Sequence, residues 1–180
     1  MARLAFTTIG VLYEAPNHPR SRGFVERSPL VMKVAEASEG FIARSVRDVT
    51  TGLQSWGDIV RPGFVPPERE PNIAQTLSLW EDLESVYAFT YSAGLHTEAL
   101  RLRHEWAHTP NHPNYAAWWV SDDHQPDFGE ATRKLEALHA SGSSPDAFNF
   151  KQPFDAQGRP ARLDPAVVKA KAARNAAKQG

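Results

Sequence analysis

The chain has 180 residues with 20 Lys/Arg, 21 Asp/Glu and no cysteine. That length can bury a core in one domain, and a formal charge of −1 argues against a basic nucleic-acid surface. The absent thiols remove disulfides and thiolate chemistry. No stretch approaches the ~20 apolar residues of a spanning helix. The first residues lack the apolar core of a signal peptide, so the expectation is a soluble cytoplasmic protein that binds no membrane. Six Lys/Arg against Asp155 and Asp164 make residues 155–180 basic, leaving an acidic excess before them.

In chain order, residues 4–13 are apolar and β-branched (Phe6, Ile9, Val11, Leu12), the pattern of a buried strand. Ser28 and Pro29 suit the N-cap and first turn of a helix carrying Leu30, Val31, Val34 and Ala35, with Gly40 placed to end it. Residues 41–49 predict a second strand. Residues 50–72 are irregular; Trp56 and Phe64 within them suggest a flap that packs on something, the alternative being a floppy connector. Residues 73–80 alternate as a third strand. Asp82 can cap a helix bearing Leu83, Val86, Tyr87 and Phe89, kinked at Gly94 and running to about His108. Residues 114–121 predict a fourth strand. Asp127 with Glu130 forms a capping-box-like start for a last helix, with Ala131, Leu135 and Leu138 inward and Gly142 at its end.

The order β-α-β-β-α-β plus one helix predicts an α+β, ferredoxin-like domain over residues 1–154. Its helices cover one face of the sheet. A second copy is expected to cover the other, giving a homodimer that closes a barrel between two sheets. Residues 155–180 form an Ala/Lys-rich tail, solvated or a capped helix that docks a partner.

Several motifs then fall in series: Leu79-Trp80-Glu81 with Leu83, Tyr91 with His96, Glu105-Trp106, Trp118-Trp119-Val120, His124 with Pro126, and residues 145–150. On these the chain resembles a bacterial domain-of-unknown-function family within the dimeric α/β-barrel superfamily typified by antibiotic-biosynthesis monooxygenases, over about residues 3–154. The resemblance implies a cavity bounded by sheet and helices. It also implies chemistry of the kind seen in cofactor-free monooxygenases, cyclases and isomerases, or in haem enzymes, where His96 would be the ligand. Trp80 and His124 are placed with the cavity residues.

His96, Arg103 and Trp106 are 7 and 3 residues apart. In a helix of about 3.6 residues per turn they share one stripe with Leu100 and Ala107. His96 is then a proton-transfer group and Arg103 a clamp for a ligand oxygen. The alternative is an Arg103–Glu81 or Arg103–Glu105 pair with His96 on a backbone carbonyl. Trp118 and Trp119, adjacent in a strand, must point to opposite faces. Tyr91 can offer its hydroxyl to a ligand or simply pack. The run His104-Glu105-Trp106-Ala107-His108 spells H-E-x-x-H, yet Pro110 follows directly and Arg103 sets a cation beside it, so no metal site is assigned. No phosphate loop, nucleophile elbow or dinucleotide fingerprint occurs.

The expected function is a cofactor-independent monooxygenase-like enzyme or cyclase/isomerase acting on an aromatic or polyketide-like molecule. His96 and Arg103 are catalytic; Tyr91, Trp106, Trp118, Trp119, Trp80 and His124 bind. The rival is a non-catalytic binder of a hydrophobic metabolite.

Overall fold

The computed structural model describes residues 2–48, 50–92, 98 and 101–179. Its elements are β1 (Arg3–Val11), α1 (Arg22–Ala37), β2 (Phe41–Arg44), β3 (Ile73–Trp80), α2 (Leu83–Ser92), β4 (Tyr115–Val120), α3 (Phe128–Ser141) and α4 (Pro165–Gln179). The sheet order is β2-β3-β1-β4, antiparallel throughout, with Leu4 opposite Trp80 on one side and Trp119 on the other. This α+β sheet is the ferredoxin-like arrangement expected from the sequence. Among the described residues, no helix is long and apolar enough to cross a membrane.

Strand alternation divides the core between two faces. Leu4, Phe6, Trp80 and Ala117 face α1 and α2, meeting Val31, Val34, Ala35, Leu83, Val86 and Phe89. Ala5, Ile9, Val11, Leu77, Leu79, Ala116 and Trp118 face the other way. There they are covered by Phe128, Ala131, Leu135 and Leu138 of α3, and by Trp56, Ile59, Phe64 and Val65 of the 45–72 segment. That segment is therefore a packed flap, and Phe128 N–H donates to Trp56 O at 3.2 Å to join it to α3. Trp118 and Trp119 take opposite faces, as strand parity requires. The outer edge of β4 is closed by Phe148, which exchanges both backbone hydrogen bonds with Ala117.

Three local expectations need correction. α1 begins at Arg22, so Pro29 lies inside it. Ser28 does not cap; its hydroxyl donates to Phe24 O at 2.8 Å, one turn back. The carbonyl that Pro29 leaves unbonded belongs to Val25, which is exposed and can be hydrated. β2 ends at Arg44 after a register shift between Phe41 and Ala43, and the chain then turns through an Arg47–Gln54 bridge. Finally, the helical run does not continue to His108. Arg103–Glu105 is a 3-10 turn, and Ala107 already pairs with Leu12.

Other local signals hold. Asp82 Oδ1 accepts from Ser85 N–H at 2.7 Å at the start of α2, and Asp127 accepts from Glu130 N–H at 2.6 Å at the start of α3. Gly40, at φ 75°, follows α1; a Cβ there would lie 2.1 Å from Ser85 Oγ. Both backbone sign and space demand glycine where the α1–β2 turn meets Ser85 of α2.

The C-terminal segment docks on its own domain. Asp164 caps α4 through Ala166 N–H, 2.8 Å. Lys171, 8% exposed, donates to Asp82 Oδ2 at 3.0 Å and Ser85 Oγ at 2.9 Å. Arg174 grips Glu39 with two nitrogens, at 2.5 and 2.9 Å, and Asn175 Oδ1 accepts from Glu39 N–H at 2.8 Å. The helix is thus held by charge-assisted bonds, those of Lys171 buried and those of Arg174 at the surface.

The sheet face that called for a second copy is buried by the chain itself, which removes the reason for a two-sheet dimer. Sedimentation equilibrium in dilute solution is expected to give one species near 20.0 kDa; twice that mass would require another contact surface. Hydrogen bonding by Arg174, reinforced by the Lys171 charge, brings the Glu39 carboxyl from its usual 4.5 to about 2 against a smaller opposing effect of burial. Its folded pKa is depressed, so its contribution is present above pH 4.5 and lost as pH falls towards 2. Hydrogen exchange should show α4 amides losing protection over that interval ahead of β1. Glu39→Gln should expose α4 at neutral pH; unchanged α4 protection in that variant would assign the docking to other contacts.

Candidate functional site

The helix-covered face holds a cluster of phenols. Tyr87 and Tyr91 lie one turn apart on the same side of α2, their ring centroids 4.6 Å apart. Tyr115 opens β4 opposite Thr8, and parity puts it on the same face as Ala117 and Trp119. Phe150, beyond α3, stacks on Tyr115 at 5.1 Å and on Phe6 at 5.6 Å. Its edge meets Tyr87 at 5.3 Å and Tyr91 at 6.2 Å.

Phe150 N–H donates to the Tyr115 hydroxyl oxygen at 3.2 Å. The Tyr115 and Tyr91 hydroxyls interact with each other, which lowers the pKa of Tyr91 and raises that of Tyr115. Burial, the leading cause, pushes Tyr115 up to about 12. Burial also raises Tyr91, while Tyr115 and the charge of Arg103 pull against it. Tyr91 is 46% exposed, so the cluster reaches the surface at this residue. A donor O–H backed by a second phenol and near a guanidinium can stabilise negative charge on a ligand oxygen.

The expected site residues are spread more widely than their motifs suggested. Tyr91 and Arg103 are close enough to interact electrostatically, with Arg103 exposed in its 3-10 turn. Trp106 is buried against α1, where a Cβ on Gly23 would come within 3.0 Å of its ring. Arg27 lies 5.8 Å above that ring and 3.7 Å from Glu98. His96 lies outside the described residues, as does Leu100 of the same expected stripe. Trp80 is fully buried and donates to Ser78 Oγ at 2.9 Å. Trp118 is buried on the α3 face and donates to Glu130 Oε1 at 2.7 Å; Glu130 Oε2 bonds His124 Nε2 at 2.7 Å. Trp119 donates to Phe154 O at 2.7 Å beside a shallow surface depression.

The H-E-x-x-H run lacks the geometry its letters suggest. His104 is exposed and bonds Arg101 O through Nδ1, whereas His108 has entered extended chain, its N–H donating to Val11 O. The two are not one helical turn apart. Among the described residues, no group of three or more His, Cys, Asp or Glu is arranged to hold a metal ion.

Tyr115, Tyr87 as a site residue, Phe150 and Arg27 were missed from sequence. Only Tyr115 had a usable signal: its parity with Ala117 and Trp119. No curated protein and no solved structure matches the chain. One family does, over residues 3–164, a span that takes in the segment leading into α4. The chain belongs to that family, described as Domain of unknown function (DUF3291).

Proposed function

We propose that the protein binds a small aromatic or polyketide-like cytoplasmic molecule at the Tyr91 end of the phenol cluster and acts on it by proton transfer. Cyclisation or isomerisation through an enolate is the reaction class, without a bound cofactor. The observation that carries the reading is the cluster in which Phe150 N–H donates to the Tyr115 hydroxyl and that phenol interacts with the half-exposed Tyr91. A neutral donor whose pKa is raised stays protonated at pH 7 and can hold a developing oxyanion, with Arg103 adding charge. Tyr87 and the half-exposed Tyr91 offer ring surface to an aromatic ligand, with buried Phe150 packed behind them. His96, five residues beyond Tyr91, is the base the sequence offers. Kinship with the antibiotic-biosynthesis-monooxygenase-like superfamily belongs to the same proposal; the strand order supports it, and the two-sheet barrel is not part of it.

The test needs no knowledge of the natural product. A panel of aryl ketones is incubated in deuterated buffer, and α-proton exchange is followed by NMR, with binding measured in parallel. Wild-type protein is expected to accelerate exchange for a bound member. Tyr91→Phe should lower that acceleration about 10²-fold while binding persists, and His96→Ala should abolish it. Binding with no acceleration across the panel would favour the non-catalytic binder. Acceleration unchanged in Tyr91→Phe would remove the phenol chain from the mechanism.

A further inference from the structure

A second polar site lies past the end of β1, away from the phenols. Its frame is rigid backbone: Leu12 bridges Ala107, Tyr13 N–H donates to Trp106 O at 2.9 Å, and His108 N–H donates to Val11 O at 2.9 Å. Leu12 N–H also donates to Asn72 O at 2.9 Å, and Asn72 Nδ2 donates to Tyr13 O at 3.4 Å. Three chain segments are thereby stitched around a depression of about 390 Å³ lined by Tyr13, Glu14, Arg20, Glu68, Arg69, Asn72 and His108.

The side chains are ordered by one another. The Arg20 guanidinium stacks over the Tyr13 ring at 3.8 Å, and the other neighbour of that ring is His108, centroid to centroid 4.3 Å. Arg69 donates to His108 Nε2. Arginine has no lone pair to accept with, so His108 must be neutral there, carrying its proton on Nδ1. Burial and the charges of Arg69 and Arg20 hold the imidazole below its ordinary pKa, consistent with that assignment.

Charge in the depression is balanced yet unpaired. Arg20 and Arg69 supply two cations, and Glu14 and Glu68 two carboxylates. Among the described residues none of the four has an ion-pair partner, although Arg61 and Glu70 nearby pair at 3.7 Å. A simple anion would gain from the guanidiniums and lose to the carboxylates; a simple cation would do the reverse. A ligand carrying both charges gains from both pairs.

We propose that this depression is a binding site for a small zwitterion of the free amino-acid class, its carboxylate held by Arg20 and Arg69 and its ammonium by Glu14 and Glu68. His108 fixes Arg69 and reports occupancy, because a carboxylate accepting from Arg69 releases the imidazole Nε2 and alters its environment. The site is independent of the phenol cluster and stands whether or not the proposed proton-transfer activity does.

The experiment is an NMR titration of the full chain, reading the His108 imidazole signals, with a panel of free L-amino acids. Acetate and methylammonium at matched ionic strength are the single-charge controls. At least one amino acid should shift His108 saturably, with affinity about tenfold or more above either control. Glu68→Gln and Arg20→Gln change exposed side chains, so both should fold, and each should weaken that binding about tenfold without altering exchange catalysis at Tyr91. Acetate binding as tightly as the amino acids would overturn the zwitterion assignment. So would a His108 signal that no member of the panel moves, or Glu68→Gln binding at full strength.

Discussion

Everything in this structure depends on β1. It is hydrogen-bonded along both edges, to β3 and to β4, and its side chains are buried on both faces. A strand in that position places no polar backbone in water and allows almost no polar side chain on either face. Two covering layers are therefore obligatory. α1 and α2 supply one, and α3 with the Trp56–Val65 flap supplies the other. Among the described residues the exceptions inside the second layer bond one another: Thr7 donates to Thr76 O at 2.7 Å and accepts from buried Gln75 Nε2 at 3.2 Å, leaving Gln75 Oε1 unpartnered.

The two layers differ in what they leave over. On the α3 side, polar groups are consumed by one another: Glu130 receives Trp118, His124 and the helix cap geometry together. On the α1/α2 side the phenol cluster ends in half-exposed Tyr91. The α4 helix adds a second constraint on this layer. It ties Asp82 and Ser85 at the start of α2 to Glu39 just after α1, so the helix that carries Tyr87 and Tyr91 is pinned at its far end.

What the sequence disclosed, and what it withheld, follows the range of the forces involved. β3 was legible to the residue because the alternation of Leu77 and Leu79 with Thr76 and Ser78 is a local signature of extended chain. The α3 helix was legible because Asp127, Glu130 and Gly142 are local caps. Ser28-Pro29 misled for the same reason: a serine hydroxyl bonding one turn back inside a helix has the same letters as one capping its start. The cover of the second sheet face was not legible, since Trp56 and Phe128 meet across more than seventy residues of chain. The candidate site divides along the same line. Tyr91 stood out by composition, whereas Phe150, which orients Tyr115, arrives from a segment with no periodic signal at all.

The seating of Tyr115 is itself a consequence of topology. Phe150 can donate its N–H to Tyr115 because the strand-like segment around Phe148 pairs with Ala117 at the edge of β4, two residues from Tyr115. That backbone donor cannot ionise, so one lone pair of the Tyr115 hydroxyl is committed to the main chain wherever its proton lies. The edge pairing that closes the sheet thus also holds a largely buried phenol beside Tyr91, and sheet closure and the placement of the two phenols are one piece of architecture.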